Sequence, residues 1–148
     1  MKSSYSVSCV EETWQIARDF AANLNAGDIV CLEGDLGAGK TTFTQALAAA
    51  MGVQGRVTSP TFCLVQEHGG GGAAAKKLVH MDLYRLHGED DVLAIGWEDY
   101  ISQGAVVVVE WSERAGSLVP ESAWHVRITH SGDSDESRRI DFTRKNVI

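Results

Sequence analysis

The chain has 148 residues, the length of one domain with a core that closes without disulfides or a structural metal. Hydrophobic residues make up 44% and charged residues 22%, which marks a globular chain and argues against a disordered one. A balance of 13 Lys and Arg against 20 Asp and Glu gives −7, which argues against a free-standing nucleic-acid binder while leaving room for a local basic pocket. No apolar run approaches the ~18 residues of a membrane span. The opening Met1-Lys2-Ser3-Ser4-Tyr5-Ser6 has no apolar signal core. Cys9, Cys31 and Cys63 form neither a disulfide framework nor a CxxC metal site and are read as small buried hydrophobes. A reduced, soluble, cytoplasmic protein is expected.

In chain order, Tyr5, Val7 and Cys9 alternate with serines, which predicts a short half-buried strand. From Glu11 the period lengthens, and Ile16, Ala17, Phe20, Ala21 and Leu24 draw one apolar helical stripe. Asn25-Ala26-Gly27 ends that helix. Residues 28–33 read as a strand with an apolar centre, and residues 34–41 as a glycine loop. Phe43, Ala46, Leu47, Ala50 and Met51 form the next helical stripe, closed by Gly52. After a turn at Gly55, Val57-Thr58-Ser59-Pro60 leads into strand-like residues 61–67. Gly69 to Gly72 and the three alanines after them read as a hairpin loop to a second strand at 77–82. Residues 89–95 predict a short helix, which residues 98–101 extend. Residues 105–109, almost pure valine, read as a buried central strand. Residues 123–129 and 137–142 alternate as two antiparallel strands about the polar turn 131–136. The order predicts an α/β fold: a mixed sheet flanked by helices, antiparallel hairpin strands in the C-terminal half, and one domain over residues 1–148.

Gly34-Asp35-Leu36-Gly37-Ala38-Gly39-Lys40-Thr41 matches G-x-x-x-x-G-K-[ST] at every fixed position, with a strand before it and an alanine-rich helix after. Phosphate oxygens must be met by several backbone N–H groups at once, so the loop has to be tight. Gly34, Gly37 and Gly39 permit that curvature. The following helix begins with unpaired amides and the positive end of its dipole. Lys40 adds a point charge toward the β- and γ-phosphates, and the Thr41 hydroxyl is a hard oxygen donor of the kind Mg²⁺ prefers. The segment predicts a nucleoside triphosphate site in a P-loop NTPase-like fold.

Hydrolysis needs more: further metal ligands and an oriented water. Val106-Val107-Val108-Val109-Glu110 is an apolar strand ending in a carboxylate, as a Walker B segment does. Leu78-Val79-His80-Met81-Asp82 has a weaker version of the same design. Ligand groups cluster at the C-terminal ends of parallel strands, so both acids are candidates to face the phosphates.

Five segments in order resemble the family of the tRNA threonylcarbamoyladenosine biosynthesis protein TsaE: GDLGAGKTT at 34–42, SPTF at 59–62, HMDLYRL at 80–86, GWEDY at 96–100 and VEW at 109–111. The resemblance implies a small bacterial P-loop ATPase, weak alone, that uses ATP and Mg²⁺. It implies action on the complex of the TsaD and TsaB proteins, which modifies an adenosine beside the tRNA anticodon; tRNA is then met only through that complex. By motif, the loop from Gly34 to Thr42 cradles nucleotide, Lys40 binds phosphate, Thr41 with Glu110 holds Mg²⁺, and Asp82 orients water. Residues 58–61 resemble a switch segment. Trp111 sits beside a metal ligand and reports on the nucleotide, while Arg138 and the stretch Val10–Thr13 lie near the adenine. The glycine run at 69–72 is longer than the family usually carries, and Trp97 within GWEDY has no assigned role.

Two other functions use the same loop: a small-molecule kinase and a non-hydrolysing ATP-dependent switch or adaptor. The segment after Gly104 offers hairpin strands and no basic helical lid, which counts against the kinase. No NKxD segment supports guanine specificity. His80 is read as a packed or hydrogen-bonded strand residue rather than a catalyst, Trp14 and Trp124 as packing, and residues 98–100 as a solvated helix end. Tyr84 and Arg85 stand open between nucleotide or partner contact and surface ion pairing.

Overall fold

A computed structural model describes residues 2–35, 39–53, 65–69, 77–132 and 134–145. Among them, seven strands form one mixed sheet: β1 (Lys2–Val7), β2 (Ile29–Gly34), β3 (Val65–His68), β4 (Leu78–Asp82), β5 (Val106–Glu110), β6 (Trp124–His130) and β7 (Arg138–Thr143). The spatial order is β1-β7-β6-β2-β5-β4-β3. The centre, β6-β2-β5-β4, is parallel; β3 pairs antiparallel with β4, and β7 antiparallel with both β6 and β1.

The valine run explains the layering. Every residue of β5 is buried, because both faces of this strand are covered. Val106 and Val108 join Val30, Leu32 and Leu78 beneath the helices α1 (Val10–Ala21) and α2 (Lys40–Ala50). Val107 and Val109 join Cys31, Val79 and Met81 on the other face, beneath α3 (Glu89–Ala94), α4 (Trp97–Ser102) and a 3₁₀ helix (Ser112–Leu118). Side-chain period 2 therefore sorts one apolar run into two cores.

On the α1/α2 face, Phe43 of α2 has no exposed surface and lies between Phe20 and Phe142, with ring centroids 6.2 Å and 6.1 Å away. Phe43→Ala is expected to lower stability by about 3–5 kcal/mol through the cavity it leaves. Guanidinium unfolding checks this: the midpoint falls while the slope holds.

Several expectations are corrected. The first strand stops at Val7, and α1 begins at Val10 with Cys9 as its half-exposed N-cap, so Cys9 is not a buried hydrophobe. Its Glu12 carboxylate accepts the Ser8 N–H at 3.2 Å, which ends the strand locally. Residues 98–101 do not extend α3. Gly96, at φ +97°, breaks the chain into two helices and carries Trp97 into the core. Trp97 thereby acquires a packing role. The 3₁₀ helix was not anticipated; Glu89 clasps it by accepting both the N–H and the hydroxyl of Ser117 at 2.5 Å. The 61–67 strand is described only from Val65. Its pairing with β4 confirms a hairpin, whose residues 70–76 lie outside the described ones, as does Cys63.

Candidate functional site

Three parallel strands deliver their C-terminal ends to one place. β2 ends in Gly34, β4 in Asp82 and β5 in Glu110, with Asp82 and Glu110 paired in register and Leu32 opposite Glu110. Gly39 is the N-cap of α2, with φ 107° and ψ 18°. Among the described residues a Cβ on Gly39 would meet nothing within 4 Å, so glycine serves the left-handed conformation there. The first helical bond of α2 runs from the Phe43 N–H to the Gly39 carbonyl at 2.9 Å. The Lys40, Thr41 and Thr42 amides thus precede the ladder, and the positive end of the helix dipole lies there.

Glu110 continues the alternation of Val106 and Val108 onto the α2 side and is only 7% exposed. Its Oε1 lies 3.4 Å from Lys40 Nζ and its Oε2 lies 2.7 Å from His80 Nε2. Burial alone raises a carboxyl pKa. Here the hydrogen bond and charge of His80, and then Lys40, outweigh burial and hold the Glu110 carboxyl below its usual range. Asp82 is half-buried and accepts the Tyr84 N–H at 3.0 Å, which turns the chain after β4.

A cavity of about 830 Å³ is lined by Gly34, Asp35, Gly39, Lys40, Thr41, Thr42, Asp82, Tyr84, Glu110 and Trp111. Its size is in the range of small-molecule sites. A smaller hollow of about 80 Å³ shares Gly39 and Thr42 and adds Cys9, Val10, Thr13, Ile128, Glu136 and Arg138. The expected residues therefore gather in two groups: the phosphate-type set around the large cavity, and Val10 with Arg138 in the hollow beside it. Arg138 already donates from Nη1 to the carbonyls of Asp135 and Ser137. Leu36, Gly37, Ala38 and the 58–61 segment lie outside the described residues.

Two features were not legible beforehand. Trp111 has φ 59° and ψ 44°, the one positive-φ non-glycine residue among those described. It packs on Tyr84 at 4.8 Å, with the Arg114 guanidinium 5.6 Å from its ring centroid, and both aromatics remain substantially exposed. His80 is tied to Glu110, a contact only the pairing of β4 beside β5 creates. Among the described residues no group of three or more His, Cys, Asp or Glu is arranged to hold a metal. Any ion at this corner would draw on a hydroxyl and on its ligand's own oxygens as well as on a carboxylate.

A family model described as "Threonylcarbamoyl adenosine biosynthesis protein TsaE" matches residues 7–140. The chain belongs to the TsaE family. A tRNA threonylcarbamoyladenosine biosynthesis protein TsaE of Bacillus subtilis is 40% identical over 133 residues, covering 90% of this chain and 80% of the relative. The protein of the same name from Streptomyces coelicolor is 41% identical over 131 residues, covering 87% and 88%. The crystal structure of Bacillus subtilis YdiB matches with a TM-score of 0.81 and 33% identity, over 99% of this chain and 87% of that one. The fold is thus the P-loop-type mixed α/β sheet of this family, with its antiparallel strands β6 and β7 where the sequence places them. No helix among the described residues is long and apolar enough to cross a membrane.

Proposed function

We propose that this chain is a Mg²⁺-dependent ATPase that supports tRNA threonylcarbamoyladenosine synthesis by acting, as one domain across residues 1–148, on a complex of TsaD and TsaB. The observation that carries the reading is the cavity in which Lys40, Thr41, Asp82 and Glu110 converge at the N-terminus of α2. The relatives' names in tRNA threonylcarbamoyladenosine biosynthesis support the pathway. The net charge of −7 suits a factor that works through partner proteins and does not itself grip tRNA.

The residues present fit a nucleotide with its metal. The glycine loop, with Gly34 before it and Gly39 after it, and the first amides of α2 would hold the triphosphate, the amides donating to its oxygens. Lys40, now 3.4 Å from Glu110, would pair with phosphate instead, and the Glu110 carboxylate would then be available to a metal. The Thr41 hydroxyl and Glu110 would hold Mg²⁺, a cation that takes hard oxygen donors. When bound, the ion supplies positive charge against the charge gathered on the phosphates. Asp82, which lines the same cavity, would orient the attacking water. Val10 and Arg138, in the adjoining hollow, would meet the base, and Trp111, in the lining beside Glu110, would respond to occupancy.

Phosphate release from ATP and Mg²⁺, measured for the chain alone and with TsaD and TsaB, tests this. Slow release alone and faster release with the partners is the expected result, together with repeated rounds of tRNA modification only when ATP is hydrolysable. No phosphate release under either condition would leave a non-hydrolysing switch, and a phosphorylated small molecule would make it a kinase.

A further inference from the structure

We infer that His80 is a positioning residue: it holds one oxygen of Glu110 so that the other is presented, singly and in fixed direction, to the metal corner of the nucleotide site. The inference rests on the Mg²⁺-ATPase reading above. His80 lies mid-strand in β4, between Val79 and Met81, and is 1% exposed. An imidazole there is poorly explained by packing. Its Nδ1 is buried without a hydrogen-bond partner among the described residues, an arrangement that lowers stability. Its Nε2–H has one use, donation to Glu110 Oε2 at 2.7 Å.

The sheet makes that contact possible. Leu78, His80 and Asp82 share the α2-facing side of β4, and Val106, Val108 and Glu110 share the same side of β5. His80 stands level with Val108, so its ring reaches Glu110 diagonally, one side-chain step along the neighbouring strand. With Oε2 occupied, Oε1 is the oxygen left toward Lys40. A carboxylate held at one oxygen offers the other as a single directed donor. Freed, it turns about its own side-chain torsions and must be ordered each time a ligand arrives.

The test uses full-length His80→Ala and His80→Gln, with a fluorescent ADP as probe, titrated with and without Mg²⁺. For His80→Ala the metal-free affinity is expected to stay within roughly twofold of wild type while half-saturation by Mg²⁺ rises about 10–100-fold. Turnover at saturating ATP falls with little change in the KM for ATP at saturating Mg²⁺. His80→Gln, whose amide can still donate to Glu110, recovers part of both effects. If the alanine variant does not fold, His80→Leu serves, since it fills the space but cannot donate. Unchanged Mg²⁺ half-saturation in a folded variant, beside a wild type that requires Mg²⁺, overturns the inference alone. Equal losses in the Gln and Ala variants with weakened metal-free binding also overturn it, because they mark a structural role. A wild-type protein indifferent to Mg²⁺ removes the ATPase reading and this inference with it.

Discussion

Glu110→Ala is expected to lose Mg²⁺-dependent ATP hydrolysis by roughly a hundredfold or more, since a metal's charge stabilisation of several kcal/mol is lost at about 1.4 kcal/mol per tenfold. Binding of nucleotide without metal should move in the opposite direction or not at all. The reason lies in the ion pair: Lys40 Nζ is 3.4 Å from Glu110 Oε1, and removing the carboxylate releases the lysine for phosphate. The variant also leaves the buried His80 Nε2–H without its acceptor, so a stability loss of about 1–3 kcal/mol accompanies it. Phosphate release, metal-free nucleotide titration and thermal unfolding separate these three effects. Turnover at the wild-type rate would transfer the metal role to Asp82, which stands beside Glu110 in register.

Lys40→Ala produces the complementary pattern. It removes the cation at the first position of α2 and is expected to weaken ATP binding by roughly a hundredfold, the equivalent of about 2–3 kcal/mol of charge-assisted hydrogen bonding. The fold should survive, because the Lys40 side chain is in the cavity lining, not the core, and the Thr44 hydroxyl still donates to the residue-40 carbonyl as it does at 2.9 Å. Isothermal titration with ATP checks the affinity, and circular dichroism the fold. Unchanged affinity would refute the site. The contrast between the two variants is the stronger test: one should lose binding, the other chemistry.

Much of this was written locally. The apolar strand and the alanine-rich helix on either side of the glycine loop were legible because an apolar run and a 3.6-residue stripe are local signals; the phosphate site between them is the proposal they motivate. The valine run announces a strand covered on both sides, and alternation after Ala123 announces the hairpin of β6 and β7. These are properties of period and composition, which need no knowledge of distant residues. The short 3₁₀ helix after Trp111 escaped for the same reason in reverse. Its residues carry no periodic stripe, and what holds it is the Glu89 carboxylate 28 positions away in the chain from Ser117.

The sequence by itself determined the apolar strands and the two acids at the ends of β4 and β5. Only the tertiary structure decided that β6 lies beside β2, that β5 sits between β2 and β4, and hence that His80 touches Glu110. The same non-local pairing brings Val10 and Arg138, near opposite ends of the chain, to one hollow beside Gly39. The physical reason is that side-chain direction along a strand follows from a local period of two, whereas strand order follows from which surfaces bury one another after the chain has closed. A histidine in an apolar strand therefore reads as core until its neighbouring strand is known.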